Sequence, residues 1–455
     1  EGYAAGLSGL LKTAQLENPS LTAQLIEVDR KASVTEVVQE NRTRVEDQVR
    51  YQDGIRYVSR LNEIRAGEDQ GAIPWKDNGV YIITGGTGGL GLIFAKEIAR
   101  QVKKPVLVLS SRTPDKASVR EKIKQLEETG AKVVLKEADI SVESEVTELI
   151  GGVHEEYGRI NGIIHCAGVL RDNYIIKKTK EELGEVFAPK VRGAAYLDQA
   201  SKDEALDFFI LFSSGSGVLG NPGQADYAAA NAYMDVYAEH RNALTAKKQR
   251  HGRTLTINWP LWKEGGMQVS KTAEKLMQGK GLEVLDTIKG LHAFYQAWAS
   301  NCSQVVIVEG DASKLRRQLL TDGEANTGTE EQMQGKTEGT KDADNRALEN
   351  KVQKATARIV SKILKISIDH IDSDTELSDF GFDSITLTEL ADSINNEFEL
   401  ALDPTVFFKY TTIKQFSAYT IREYKEIMMR TFSVSEGAPI GSKPENEILA
   451  KPMEK

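Results

Sequence analysis

Val80-Tyr-Ile-Ile-Thr-Gly-Gly-Thr-Gly-Gly-Leu-Gly91 is a β-branched and aromatic run that breaks into a glycine cluster. Leu92 to Gln101 then carries helical amphipathic spacing, so the stretch reads as strand, tight turn, helix. Glycines let a backbone approach a pyrophosphate closely. The helix N-terminus adds unpaired N–H groups and a positive dipole end. A glycine-rich turn also serves plain packing, but here strand and helix flank it as a nucleotide site requires. The spacing Thr84-Gly85-x-x-x-Gly89-x-Gly91 is one residue longer than the ordinary dinucleotide fingerprint.

Outward from that turn, strands and helices alternate. Val80–Ile83, Val106–Ser110, Val133–Ala138, Gly162–Cys166, Phe208–Phe212 and Thr254–Asn258 read as strands. Runs such as Phe-Phe-Ile-Leu-Phe fit strands buried on both faces, so the expected fold is α/β: a Rossmann-like, doubly wound parallel sheet. Ligands in such sheets sit at the carboxyl ends of the strands, where most of the unusual residues of this chain fall. A helix at Val284–Trp298 and a strand at Gln304–Val308 are expected to close the edge.

Residues 1–75 read as a partial α/β structural subdomain. It has a helix at Tyr3–Leu16, a strand at Leu21–Val28, a helix at Val34–Glu40 and two strands around Asp53-Gly54. No constellation of chemical groups stands out there. Residues 76–320 are the expected catalytic domain. Residues 321–346 are polar and Gly-rich, a flexible linker by composition. Residues 347–430 carry three helical patterns, Leu348–Leu364, Ser384–Phe398 and Thr412–Lys425, capped by Thr411 or Thr412, with aromatics at Phe407–Tyr410; they suggest a small bundle. Residues 431–455 read as a tail or linker, and an intermodular one if the chain is part of a larger assembly.

The chain has 455 residues, a net charge of −9 and 40% hydrophobic residues. The charge argues against nucleic acid or an anionic membrane as partner. Two cysteines, Cys166 and Cys302, and no apolar run of membrane-spanning length point to a disulfide-free cytoplasmic protein. No metal site is expected. The start at Glu1, directly on a helix pattern, looks like a piece of a longer polypeptide.

The sharpest constellation lies in Leu211-Phe-Ser-Ser-Gly-Ser-Gly-Val-Leu-Gly-Asn-Pro-Gly-Gln-Ala-Asp-Tyr-Ala-Ala-Ala-Asn231. Ser214 sits at a strand end and Tyr227 at a helix start, 13 residues on. With the glycine turn, this resembles the short-chain dehydrogenase/reductase family. There the tyrosine hydroxyl gives a proton to the carbonyl oxygen, the serine orients that oxygen, and a nicotinamide supplies hydride. A free tyrosine has a pKa near 10, so the resemblance implies a cation that lowers it. The usual lysine four residues after the tyrosine is here Asn231. Val186-Phe-Ala-Pro-Lys190-Val-Arg-Gly-Ala194 resembles the place to which ketoreductases of modular polyketide synthases move that lysine. Lys190 is then the expected cation, holding ribose hydroxyls and depressing the Tyr227 pKa, and Asn231 a polar support. Taken alone, Lys190 reads as an exposed helix lysine.

The same resemblance fills the cofactor groove. It implies contacts from Thr84, Gly85, Thr87, Gly88, Gly89, Leu90 and Gly91. Ser111 and Arg112 follow the second strand, where a cation favours the 2′-phosphate of NADPH over NADH. Asp139 and Ile140 fall by the adenine, and Ala167 and Gly168 on the way to the nicotinamide. His165 reads as structural. Asn258-Trp-Pro260-Leu-Trp262…Gly265-Gly266-Met267 resembles the segment covering nicotinamide and substrate. Leu170-Arg171-Asp172 keeps one aspartate of a Leu-Asp-Asp signature, and Leu219 stands where the opposite stereochemical class has tryptophan. With Trp262 these are the expected stereocontrol and substrate residues, and they imply a D-configured hydroxyl.

Glu376-Leu-Ser-Asp-Phe-Gly-Phe-Asp383-Ser384-Ile385 resembles the attachment motif of an acyl carrier protein. A 4′-phosphopantetheine arm is implied on Ser384; taken alone, either residue could be a simple N-cap. The whole chain resembles a ketoreductase–acyl carrier didomain of a modular polyketide synthase, or of a polyketide/nonribosomal-peptide hybrid. The implied partners are a ketoacyl thioester, a phosphopantetheinyl transferase and neighbouring synthase domains, with a reductase that acts as a monomer. A reductase-silent scaffold is the alternative, opposed by the presence of every expected catalytic residue. A free-standing reductase is opposed by the fused carrier and the Lys190/Asn231 exchange. A hydrolase reading of Ser214 finds no accompanying histidine motif.

Overall fold

A computed structural model describes residues 6–320 apart from 19, 30–32, 45, 65–72, 114–116, 268–273 and 275–276, and residues 341–433 apart from 365, 383, 401 and 403. The chain forms two compact units, Glu1–Gln332 and Met333–Lys455.

In the first unit a seven-stranded, all-parallel sheet is built from β4 (Val80–Thr84), β5 (Val106–Ser111), β6 (Lys132–Glu137), β7 (Gly162–His165), β8 (Phe208–Ser214), β9 (Arg253–Trp259) and β10 (Gln304–Val306), in the order β10-β9-β8-β7-β4-β5-β6. The order reverses between β4 and β7, which leaves a crevice at their carboxyl ends. Strand side chains alternate between two cores. Tyr81, Ile83, Leu107 and Leu109 join Phe94 and Phe208 on one face. Val80, Ile82, Val108, Phe209 and Leu211 join Met234 on the other. Burying one such large side chain contributes about 1.5–3 kcal/mol, so the sheet is a rigid platform. The flanking helices are α3 (Gly89–Gln101), α4 (Ala117–Glu127), α5 (Glu143–Tyr157), α6 (Lys180–Phe187), α7 (Gly193–Ala200), the short α8 (Gly215–Leu219), α9 (Ala225–Ala246), α10 (Thr287–Ala299) and α11 (Ala312–Leu319). The bounds of these seven strands follow the expected ones within two residues, and Cys166 lies just past β7 rather than in it.

The N-terminal segment holds α1 (Leu7–Glu17), β1 (Leu25–Glu27), α2 (Val34–Asn41), β2 (Gln48–Gln52) and β3 (Ile55–Val58). β1 and β2 pair in parallel, and β2 and β3 form an antiparallel hairpin across Asp53-Gly54. α1 crosses α9 at close range. A Cβ on Gly9 would lie 2.3 Å from the Ala228 carbonyl oxygen, and one on Gly6 2.7 Å from that of Ala229. Glycines on one helix and alanines on the other let the backbones touch just after Tyr227.

The second unit contains α12 (Lys341–Leu364), α13 (Ser384–Phe398), the short α14 (Val406–Lys409) and α15 (Ile413–Ser433). Val352, Val360, Leu390, Ile394, Phe398, Phe416 and Met428 make its core. α12 begins seven residues before Leu348, so 341–346 are helical rather than linker; residues 321–340 lie outside the described residues. α15 likewise runs three residues into the expected tail, and a short fourth helix stands where only aromatics were expected. Thr412, not Thr411, caps α15: its Oγ1 accepts from the Gln415 N–H at 3.2 Å. Among the described residues, no helix is long and apolar enough to cross a membrane.

Candidate active site

The turn after β4 is held by close backbone approach. Gly85 has φ +62°, and its Cβ would lie 2.9 Å from the Ala167 Cα. A Cβ on Gly91 would strike the Gly85 carbonyl oxygen at 2.6 Å, so α3 starts tight against the turn. The first turn of α3 has no side-chain cap on Gly88 and no acidic residue. Its N–H groups therefore keep their affinity for an anion.

Beside this turn lies a cleft of about 430 Å³ whose walls include Gly85, Thr87, Ser111, Arg112, Asp139, Ile140, Ala167 and Gly168. Thr87 Oγ1 donates to Ser111 Oγ at 3.1 Å, joining the ends of the first two strands. Burial opposes ionisation of Asp139, but hydrogen bonds from Ser141 and the charge of Arg112 hold its carboxyl below the ordinary value. Ser110 Oγ, also on this cleft, is buried with no protein partner. An uncapped helix end, an unpartnered hydroxyl and an exposed arginine on one crevice fit a dinucleotide.

Several expected contact residues have partners within the protein. Thr84 is fully buried, and its hydroxyl is held by His165 Nδ1 at 2.7 Å. His165 Nε2 faces the Pro189 carbonyl at 3.1 Å. A carbonyl only accepts, so Nε2 carries the proton and Thr84 donates to Nδ1. Burial pushes the imidazole pKa down to about 3 and keeps it neutral. Thr84 thus braces the Lys190 turn through His165. Gly88, Gly89, Leu90 and Gly91 form the turn and first helical turn next to the cleft walls Gly85 and Thr87. Gly89 packs on the Gly265 carbonyl, Leu90 joins the core, and Pro260 is half-buried after β9. Trp262 is also a core residue rather than a substrate wall: it is buried against Trp259, Phe94 and Gly290.

Lys190, Ser214, Tyr227 and Asn231 meet at the carboxyl edge of β7 and β8. Lys190 lies on a π-helical turn, Ala188–Arg192, between α6 and α7. Its side chain passes over Gly168, where a Cβ would lie 2.8 Å from Cε. The ammonium donates to the Phe212 carbonyl at 3.1 Å and stands 5.0 Å from the Tyr227 ring centroid. Burial pulls its pKa down to about 8, against the opposing pull of Cys166 and Asp235. Ser214 ends β8, caps α8 and keeps an accessible side. Asn231 lies one turn along α9 from Tyr227, donates to its backbone carbonyl at 2.7 Å and leaves its own Oδ1 unpaired.

One electrostatic expectation is reversed. The Tyr227 pKa is not depressed: burial pushes it up to about 12, hydrogen bonding to Asn231 and Ser214 pulls the other way, and Asp172 adds to the rise. Lys190 meets the ring face instead of setting the ground-state pKa.

Asp172 accepts from Gln224 Nε2 at 3.1 Å, three residues before Tyr227. Leu170 packs on the core beside it. Leu219 ends α8 in a groove shared with Lys12 and Leu16 of α1.

Asp235 was not among the expected residues. It lies on the Tyr227–Asn231 face of α9 and accepts from Asn258 Nδ2 at 2.8 Å and Thr256 Oγ1 at 2.9 Å. Asn258 also donates to the Ser214 carbonyl at 2.9 Å, so this pair fixes the end of β8. The repeat 227, 231, 235 at helical spacing was the available signal.

Residues 79–264 match the family model described as KR domain, and residues 355–420 the one described as phosphopantetheine attachment site. The chain is 43% identical over 454 residues (98% of it) to polyketide synthase PksN of Bacillus subtilis, and 38% identical over 447 residues (96% of it) to PksL of the same organism. It spans only 8% and 10% of those two proteins. A crystal structure of a ketoreductase domain from the bacillaene assembly line aligns with TM-score 0.67 and 45% identity, over 70% of this chain and 77% of that one. An N-terminal ketoreductase from the macrolactin assembly line aligns with TM-score 0.60 and 36% identity, over 70% and 63%. With its parallel sheet, glycine turn and fused helical unit, the chain belongs to the ketoreductases of polyketide synthases, joined here to an acyl carrier domain.

Proposed function

We propose that this chain reduces a ketoacyl thioester, carried on 4′-phosphopantetheine attached to Ser384, to a D-configured hydroxyacyl thioester, with NADPH as reductant. The observation that carries the reading is Lys190, Ser214, Tyr227 and Asn231 gathered beside a cleft that fits a dinucleotide. Bound in that cleft, the nicotinamide supplies a hydride to the carbonyl carbon. Tyr227, kept protonated by burial, gives its hydroxyl proton to the carbonyl oxygen as charge gathers there, and a hydroxyl results. Ser214 orients that oxygen. The Lys190 ammonium faces the phenolate left on Tyr227. Retention of Asp172 and the absence of tryptophan at 219 support the D-alcohol. Both cysteines are free, which supports a cytoplasmic setting. α1 already covers α9, which supports a monomeric reductase. A phosphopantetheinyl transferase loads the carrier, and neighbouring synthase domains deliver and remove the acyl chain. The test is NADPH consumption with a 3-ketoacyl pantetheine thioester, followed by chiral separation of the alcohol. No consumption above a protein-free control overturns the reading.

Arg112 supports the choice of NADPH. A charge-assisted hydrogen bond contributes about 1.5–3 kcal/mol. Arg112→Ala is therefore expected to raise the KM for NADPH by about 10- to 100-fold and the KM for NADH by under threefold. Equal changes for both would remove Arg112 from 2′-phosphate recognition.

Ser384 opens α13, where a helix N-terminus favours an anionic phosphodiester; Asp383 lies outside the described residues. Incubation with coenzyme A and a transferase is expected to add the phosphopantetheine mass to the wild type and nothing to Ser384→Ala. A mass gain in the variant would move the attachment elsewhere.

A further inference from the structure

Glu17, the last residue of α1, is 7% exposed. Its two carboxylate oxygens bind two different segments. Oε1 accepts from the Gly223 N–H at 2.8 Å, and Oε2 from the Ile175 N–H at 2.8 Å. Gly223 belongs to the loop that leads into Tyr227. Ile175 belongs to the loop after β7 that carries Asp172.

These loops form two lips beside Tyr227 and touch along their length. The Asn173 N–H donates to the Gly223 carbonyl at 2.8 Å. Gln224 donates to Asp172. Lys178 and Asp226 form a buried ion pair at 2.9 Å, with Asp226 itself capping the Tyr227 N–H. Glu17 comes from outside both lips and bonds to both. It is aimed by α1, whose Thr13 Oγ1 accepts from the Asn221 N–H at 3.1 Å and whose Lys12 donates to the Val218 carbonyl at 2.7 Å. A buried carboxylate accepting two backbone N–H groups at fixed spacing resists any change in that spacing.

We propose that Glu17 is a positioning residue of the reduction: it fixes the spacing of the two lips beside Tyr227 and thereby the face of the ketone presented to hydride. This rests on the reductase reading above. It makes the N-terminal segment part of the stereochemical apparatus, although no reacting atom touches it.

The test compares wild type with Glu17→Gln, which replaces one acceptor oxygen by an NH₂ that cannot accept. Glu17→Asp, which keeps both acceptors on a shorter arm, is the second variant. In Glu17→Gln the ratio of the two alcohol epimers is expected to shift about tenfold toward the minor one. The KM for the ketone should rise about tenfold, with the KM for NADPH within twofold. Glu17→Asp should recover part of the epimer ratio. Amide hydrogen exchange in peptides covering 173–177 and 221–226 should speed up at least tenfold in Glu17→Gln. A lowered melting temperature with an unchanged epimer ratio would reduce Glu17 to a stabilising residue and overturn the proposal. Unchanged exchange would overturn it whatever the rates, whereas a wild-type chain that reduces nothing overturns the reductase reading.

Discussion

Tyr227→Phe is expected to lower kcat for the ketoacyl thioester by about 10³-fold while the KM for NADPH stays within about twofold. The substitution removes one oxygen and leaves the ring of this α9 residue packed in the core under the Lys190 ammonium. The fold and the dinucleotide cleft are therefore preserved, and the loss falls on the chemical step. Burial pushes the Tyr227 pKa up to about 12, so at neutral pH the hydroxyl is protonated and ready to donate. The ketone oxygen becomes a strong base only as hydride arrives, so the proton moves when it is needed. Steady-state rates at saturating NADPH check this. A variant as fast as the wild type would mean that Tyr227 is not the acid. Both proteins failing to consume NADPH would favour a scaffold that only carries acyl chains.

The sheet was legible because strands buried on both faces spell themselves as apolar runs; Phe208 to Phe212 admits no other comfortable environment. The glycine turn was legible because Gly85 and Gly91 must let backbones touch. Tyr227 and Asn231 were singled out by the resemblance of the strand-end serine and helix-start tyrosine to the short-chain reductases. Lys190 was not legible from its own neighbourhood, where a lysine reads as exposed, and only the resemblance singled it out. The structure supplies the physical reason in a π-helical turn that rolls the side chain inward over Gly168. Trp262 shows the opposite failure. The resemblance put it on the substrate, but the space it fills is bounded by Gly290 and Phe94, distant in sequence. Glu17 and Lys12 gave no signal at all, since their partners lie roughly 150 to 200 residues away in sequence. The Tyr227 pKa was misjudged for a related reason. Charge partners can be guessed from motifs, whereas desolvation depends on everything packed around a group.

Lys190→Met is expected to make the protein more stable and nearly inactive. Burial lowers the lysine pKa from 10.5 to about 8, so the folded chain at pH 7 holds an ammonium that it disfavours relative to the unfolded chain. One pKa unit corresponds to about 1.4 kcal/mol. Allowing for the lost bond to Phe212 and the lost contact with the Tyr227 ring, methionine is expected to raise the unfolding free energy at pH 7 by roughly 1–3 kcal/mol. The sign of the pH dependence follows from the direction of the shift. The cost of the buried charge is present in full below about pH 8. It fades as pH rises from about 8 towards 10.5, where the unfolded chain still binds a proton that the folded chain has released. The advantage of the variant should therefore be largest near neutrality and shrink by pH 10, as read by urea unfolding at both values. Catalysis runs the other way. On the proposed mechanism the ammonium stabilises the phenolate left on Tyr227 in a buried site, and its removal is expected to lower kcat by about 10²- to 10³-fold. In the wild type, kcat/KM should decline above about pH 8 as Lys190 loses its proton, and that decline should be absent from the residual activity of the variant. A destabilised variant would show that Lys190 is held by packing rather than retained for its charge. A retained decline above pH 8 would assign that ionisation to another group.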